Sequence, residues 1–175
     1  TLGLYPANHP VSQYAEELLA KISKDQSQRQ KITVFKGEPN AFVFPSGSIY
    51  LSDKLIQMAE SDEELMFVIM HERRHFISND WMRTAASKSA KHSHDFLLAR
   101  SGEMRSHEWE SDIRALIDLD DLGVNPLGGV HLLEKLSERP EKKKKKSTDP
   151  VHGKDADRII NLQALTHLKD FKSLD

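Results

Sequence analysis

The chain has 175 residues, 38% hydrophobic, 30% charged and 7% aromatic, with no cysteine and a formal net charge of −2. Its apolar residues gather in periodic blocks, and no run approaches the roughly 18 consecutive apolar residues of a membrane-spanning helix, which excludes wholesale disorder and a bundle of spans. Without cysteine there is no disulfide framework, no thiolate metal site and no cysteine nucleophile, so any metal must be held by nitrogen and oxygen.

A helix is predicted from Val11 to Ile22, where Tyr14, Leu18, Leu19 and Ile22 recur at helical spacing after Pro10. Lys31 to Lys36, rich in β-branched and aromatic residues, reads as a strand. Ala41 to Phe44 and Ser48 to Leu51 read as two more, joined by a turn at Pro45, Ser46 and Gly47. A short helix is expected over Ser52 to Glu60. Ser61 to Glu64 then reads as a capping box, hydroxyl and carboxylate each satisfying the other residue's backbone N–H, ahead of a helix from about Asp62 to Ser78. Two separate helices follow, from about Trp81 to Leu98 and from about Gly102 to Leu122. Gly123 and Pro126 stop the second, and Pro126 opens another through Leu136. Ser137 to Gly153 is polar and lysine-rich and reads as a flexible loop, and a last helix runs from about Asp155 to Leu168. Strands early and helices afterwards describe an α+β domain, one unit over residues 1–175.

Charge says little about partners. Taking the five consecutive lysines Lys142 to Lys146 out of the 25 basic residues leaves 20 against 27 acidic ones, a net charge of −7. Such a chain is a poor nucleic-acid binder. The tract reads as a solvated loop, with contact to a membrane surface or polyanion as the alternative. The chain opens on Thr1 without Met, so a trimmed fragment is expected, one that has lost targeting information or a membrane anchor.

Within the capped helix stands His71-Glu72-Arg73-Arg74-His75. Histidines at i and i+4 share one helical face, so both imidazoles can reach one ion about 2 Å away. Glu72, set between them, can take a proton from a metal-bound water. Such a pattern arises by chance in only about 3% of shuffled chains of this composition. Catalytic zinc takes a third protein ligand and keeps one position open. Downstream, Glu108 and Asp112 also stand at i and i+4. Glu108 is the candidate third ligand and Asp112 the acceptor for the free N–H of a ligand histidine; an ordinary solvated acidic face is the other reading of that pair.

The stretch from Asn40 to Ser52, the acidic run Asp62 to Leu65, His71 to His75 and Glu108 to Asp112 resemble, in order and spacing, one family of gluzincin metallopeptidases. It includes HtpX, the CAAX prenyl protease and the periplasmic BepA-like enzymes. The likeness runs from about Asn40 to Gly129. It implies a zincin-like fold, one zinc ion held by His71, His75 and Glu108, Glu72 as general base and Asp112 as the carboxylate behind the ligands. It also implies that Asn40, Ala41, Phe42 and Val43 form a rim strand against which an extended substrate peptide lies. Ser147 to Arg158 resembles the family's Ser-Thr-His-Pro loop and following Arg, although Asp149 precedes the proline. Counted back from Arg158, His152 takes the histidine's place, as an oxyanion donor, as an occupant of the open zinc position or as a solvent-facing loop residue.

A further departure is Arg73 and Arg74, where the family usually has an apolar and then a small residue. Arg74 therefore needs a carboxylate partner or a route to solvent, since a buried unpaired guanidinium is very costly. The resemblance implies a zinc-dependent endopeptidase of extended or misfolded polypeptide segments, using Glu-assisted attack of zinc-bound water. The alternative is a zinc-binding but catalytically silent, chaperone-like module of the same fold. The expected partner is a polypeptide and not nucleic acid, with membrane proximity only through a missing segment. Export to the bacterial periplasm or envelope is the expected location, the cytoplasm its alternative.

Overall fold

A computed structural model describes residues 3–23, 30–78, 94–139 and 155–166, with backbone alone for 94–106 and 155. The first helix, α1 (Pro10–Ile22), begins on Pro10, and His9 caps it by accepting the Val11 N–H on Nδ1 at 3.2 Å. Its Ala15, Leu18, Leu19 and Ile22 face the core. Three short strands follow, β1 (Ile32–Phe35), β2 (Ala41–Val43) and β3 (Ile49–Ser52). They form a sheet of order β1-β3-β2, with β1 parallel and β2 antiparallel to β3. Alternation along β3 buries Ile49 and Leu51 and turns Tyr50 to the other face, where it stacks on Phe42. The segment Gly3 to Tyr5 hydrogen-bonds to Val34 and Lys36 and covers the outer side of β1. Among the described residues β2 is thus the open edge of the sheet.

After α2 (Asp53–Met58), the helix α3 (Asp62–Ile77) runs through the middle of the molecule, packed against α1, β2, β3 and two later helices. Asp62, Glu63 and Glu64 in its first turn and Arg74 and His75 in its last complement the helix dipole. The capping box forms only in part. Ser61 Oγ accepts the Glu64 N–H at 3.3 Å, but the Glu64 carboxylate receives the Glu60 N–H and is drawn to Lys135 Nζ at 2.7 Å. The Glu60 N–H and a lysine from a distant helix together take the place of the Ser61 N–H.

The two helices expected on either side of Gly102 are one helix, α4 (His94–Asp121), over its described span. A lone glycine costs a helix interior only about 1 kcal/mol, and no proline or cap stands there to stop it. At the far end Gly123, with φ +73°, closes α4, donating to Asp120 O while Val124 donates to Leu119 O. Next, α5 (Leu127–Ser137) lies close on α3. A side chain on Gly129 would meet the Phe67 ring at 2.4 Å, and one on Gly128 the Glu63 backbone at 2.8 Å. The last helix, α6 (Asp155–Thr166), buries Leu162 and packs on α4 and α5. The lysine tract and the 81–93 part of an expected helix lie outside the described residues.

Candidate metal centre

Two turns of α3 and one of α4 supply the chemistry. His71 and His75 sit one turn apart on α3, and α4 crosses them with Glu108. Their ligating atoms converge: His71 Nε2 and His75 Nε2 are 2.9 Å apart, His71 Nε2 is 3.4 Å from Glu108 Oε2, and His75 Nε2 is 3.1 Å from Glu108 Oε1. Nitrogen and oxygen ligands about 2.0–2.1 Å from a tetrahedral zinc ion stand roughly 3.3 Å from one another. The donor set fits zinc in ligand type, number and spacing. His71 and Glu108 are each 5% exposed, so three lone-pair donors crowd together with little water to separate them. A cation or shared protons must offset that.

The surroundings hold the ligands in place. Asp112 Oδ1 lies 2.7 Å from His71 Nδ1, a close ionic contact rather than an in-line hydrogen bond. Arg158 Nε and Nη2 then grip both Asp112 oxygens at 2.7 Å, and its Nη1 comes within 3.5 Å of Glu108 Oε2. Burial works against ionising Asp112, yet Arg158 and His71 outweigh it and hold the carboxyl below its usual range. Burial likewise disfavours charge on His71, but Asp112 and Glu108 overcome it and raise its pKa. In the metal-free protein these carboxylates favour a proton on His71, and an ion taking that lone pair displaces it.

Glu72 is 6% exposed and, with His71 and Arg158, lines a cleft of about 170 Å³. Among the described residues no hydrogen bond ties up its carboxylate. Asn40 and Ala41 line the same cleft, below the open edge of β2. Phe42 and Val43 do not line it. Phe42 stacks on Tyr50 on the outer face of the sheet, and Val43 packs on the core. His152 lies outside the described residues.

Arg74 has the carboxylate it needs: Asp118 on α4, engaged through Nε at 2.6 Å and through Nη2. Arg73 donates to Ser23 Oγ at 2.9 Å. Neither guanidinium points into the metal centre. Five contributors were missed in the sequence. Ser111 Oγ, in a residue only 3% exposed, lies 3.3 Å from His75 Nδ1; its spacing of three from Glu108 on one helical face was the available signal. The others are Leu132, Leu133, Leu136 and Arg139, which wall the cleft from α5 and just beyond it.

The family model described as Peptidase family M48 matches residues 7–128. The match takes in His71, Glu72, His75, Glu108, Ser111 and Asp112, and ends before Arg139 and Arg158. No curated protein matches the chain.

Proposed function

The chain belongs to peptidase family M48, a family of zinc metallopeptidases, and from that membership we propose that it is an endopeptidase of extended or misfolded polypeptide segments. The observation that carries the proposal is the convergence of His71, His75 and Glu108 beside a buried Glu72 that faces a cleft. Within the family, the run from Asn40 to Ser52 supports placing it with the HtpX, CAAX prenyl protease and BepA-like branch.

His71 Nε2, His75 Nε2 and a Glu108 oxygen would hold a zinc ion, which would supply Lewis acidity to acidify a water and polarise a carbonyl. The chain's own residues do the rest. A Glu72 carboxylate oxygen accepts the proton of the attacking water and delivers it to the leaving amine nitrogen. Asp112 keeps the His71 ring turned, and Arg158 neutralises Asp112 so that the buried carboxylate stays ionised. A substrate strand lies along the open edge of β2, bound by main-chain hydrogen bonds that make little demand on sequence. Leu55, Phe67 and α5 wall the cleft beside Glu72.

Arg73 and Arg74 would favour a silent, chaperone-like module if they disturbed the ligands. Both find partners away from the ligands, and the enzymatic reading stands without them. From the same resemblance we propose export to the bacterial periplasm or envelope, with the cytoplasm as the alternative, and a polypeptide as the partner. Among the described residues no helix is long and apolar enough to cross a membrane. Zinc-loaded protein is expected to cleave unfolded casein, with a chelator or Glu72→Gln lowering the rate by at least about a thousandfold. Zinc-loaded protein that leaves casein intact, by gel and by mass spectrometry, assigns the silent function instead.

A further inference from the structure

The cleft holds two arginines with different counter-ions. Arg158 is locked to Asp112, which is fully buried. Arg139, two residues past the end of α5, pairs with Glu38 at 3.1 Å, and the Glu38 side chain is 62% exposed. Glu38 is also shared, since Lys54 Nζ contacts its other oxygen. The Lys54 hydrogen bond is the main influence holding the Glu38 carboxyl below its usual pKa, with Arg139 a smaller one. The pair faces solvent on its Glu38 side, although the Arg139 side chain is only 18% exposed, and a solvent-facing carboxylate shared with a lysine exchanges readily. Between Arg139 and the candidate metal centre, the cleft is walled by Leu55, Phe67, Leu132, Leu133 and Leu136, and Pro39 and Asn40 bring the start of the open-edge strand to it.

We propose that Arg139 and this apolar wall form a substrate subsite for a peptide carboxylate close in sequence to an apolar side chain, a proposal that rests on the peptidase reading above. The apolar side chain fills the leucine-lined space. The carboxylate takes the place of Glu38 on the planar guanidinium, which suits bidentate binding. Glu38 keeps Lys54, so the exchange leaves no charge unpaired. The carboxylate comes from an Asp or Glu side chain or from a chain terminus, and the geometry of the fork serves either.

The test uses two pairs of internally quenched peptides containing leucine. One pair differs by Glu against Gln beside the leucine, the other by a free against an amidated C-terminus. KM is measured for zinc-loaded wild type, Arg139→Gln and Glu38→Gln. The wild type is expected to show about a tenfold lower KM for the carboxylate member of one pair, and that pair identifies the source. Arg139→Gln erases the difference and Glu38→Gln enlarges it by removing a carboxylate that competes for the guanidinium. Opposite signs from two neighbouring variants are not what misfolding produces. Equal KM values within both pairs, or a difference that survives Arg139→Gln, overturn the subsite. If no peptide is cut, the peptidase reading fails on its own account. Fluorescence anisotropy of the same labelled peptides then decides the carboxylate preference from Kd, by the same comparisons.

Discussion

An imidazole can ligate a metal only through a nitrogen that carries no proton, so whatever holds the opposite nitrogen matters as much as the ligand. For His75 the structure offers the Ser111 hydroxyl at 3.3 Å. When Nε2 gives its lone pair to a metal, Nδ1 carries the proton and donates it to Ser111 Oγ. Ser111→Ala is therefore expected to weaken zinc binding about tenfold with no loss of folded structure, and Ser111→Thr to restore most of it. Competition with a chromogenic chelator measures this, and an unchanged affinity in Ser111→Ala removes the hydroxyl from the account. At this scale the sequence was partly legible. The i, i+4 spacing of His71 and His75 is a local property of one helix and needs no tertiary knowledge. That α4 brings Glu108 to them is tertiary; the i, i+4 spacing of Glu108 and Asp112 suggested it and the family-like pattern strengthened it. Arg139 left no local trace, because its place depends on how the end of α5 meets the segment before β2.

The elements differ from their sequence signals where a distant partner or a missing stop signal decided the outcome. Lys135 and the Glu60 N–H take Glu64 out of its capping box, and α4 continues through Gly102 because nothing there ends it. The three strands and α3 were legible because β-branched runs and a capped apolar block are short-range features. The approach of α5 was not, since Gly128 and Gly129 look in sequence like helix-weakening residues. In the fold they are what allows α5 to lie on the Glu63–Phe67 turn of α3 and so to wall the cleft. Gly129→Ala places a methyl group 2.4 Å from the Phe67 ring, in a buried helix pair. Overpacking of this kind costs about 1–3 kcal/mol, seen as a lower midpoint in thermal or urea denaturation, although alanine is the better helix former. A stability gain from Gly129→Ala contradicts the close packing.

Across the whole molecule, the core and the chemistry share one helix. The N-terminal half of α3 buries Leu65, Met66, Phe67, Ile69 and Met70, and the same helix then presents His71, Glu72 and His75 beside the cleft. Among the described residues the sheet adds a single open edge, β2, because the segment from Gly3 to Tyr5 already covers β1. Rigid packing at one end and an open strand at the other suit a site that must keep its ligands fixed while admitting an extended chain. The claim on which all of this rests is that one zinc ion sits between α3 and α4. Anomalous diffraction at the zinc edge from zinc-soaked crystals tests it directly. The account predicts one strong peak about 2.0–2.2 Å from His71 Nε2, His75 Nε2 and a Glu108 oxygen, lost in His71→Ala. A peak elsewhere, or none between these three residues, contradicts it.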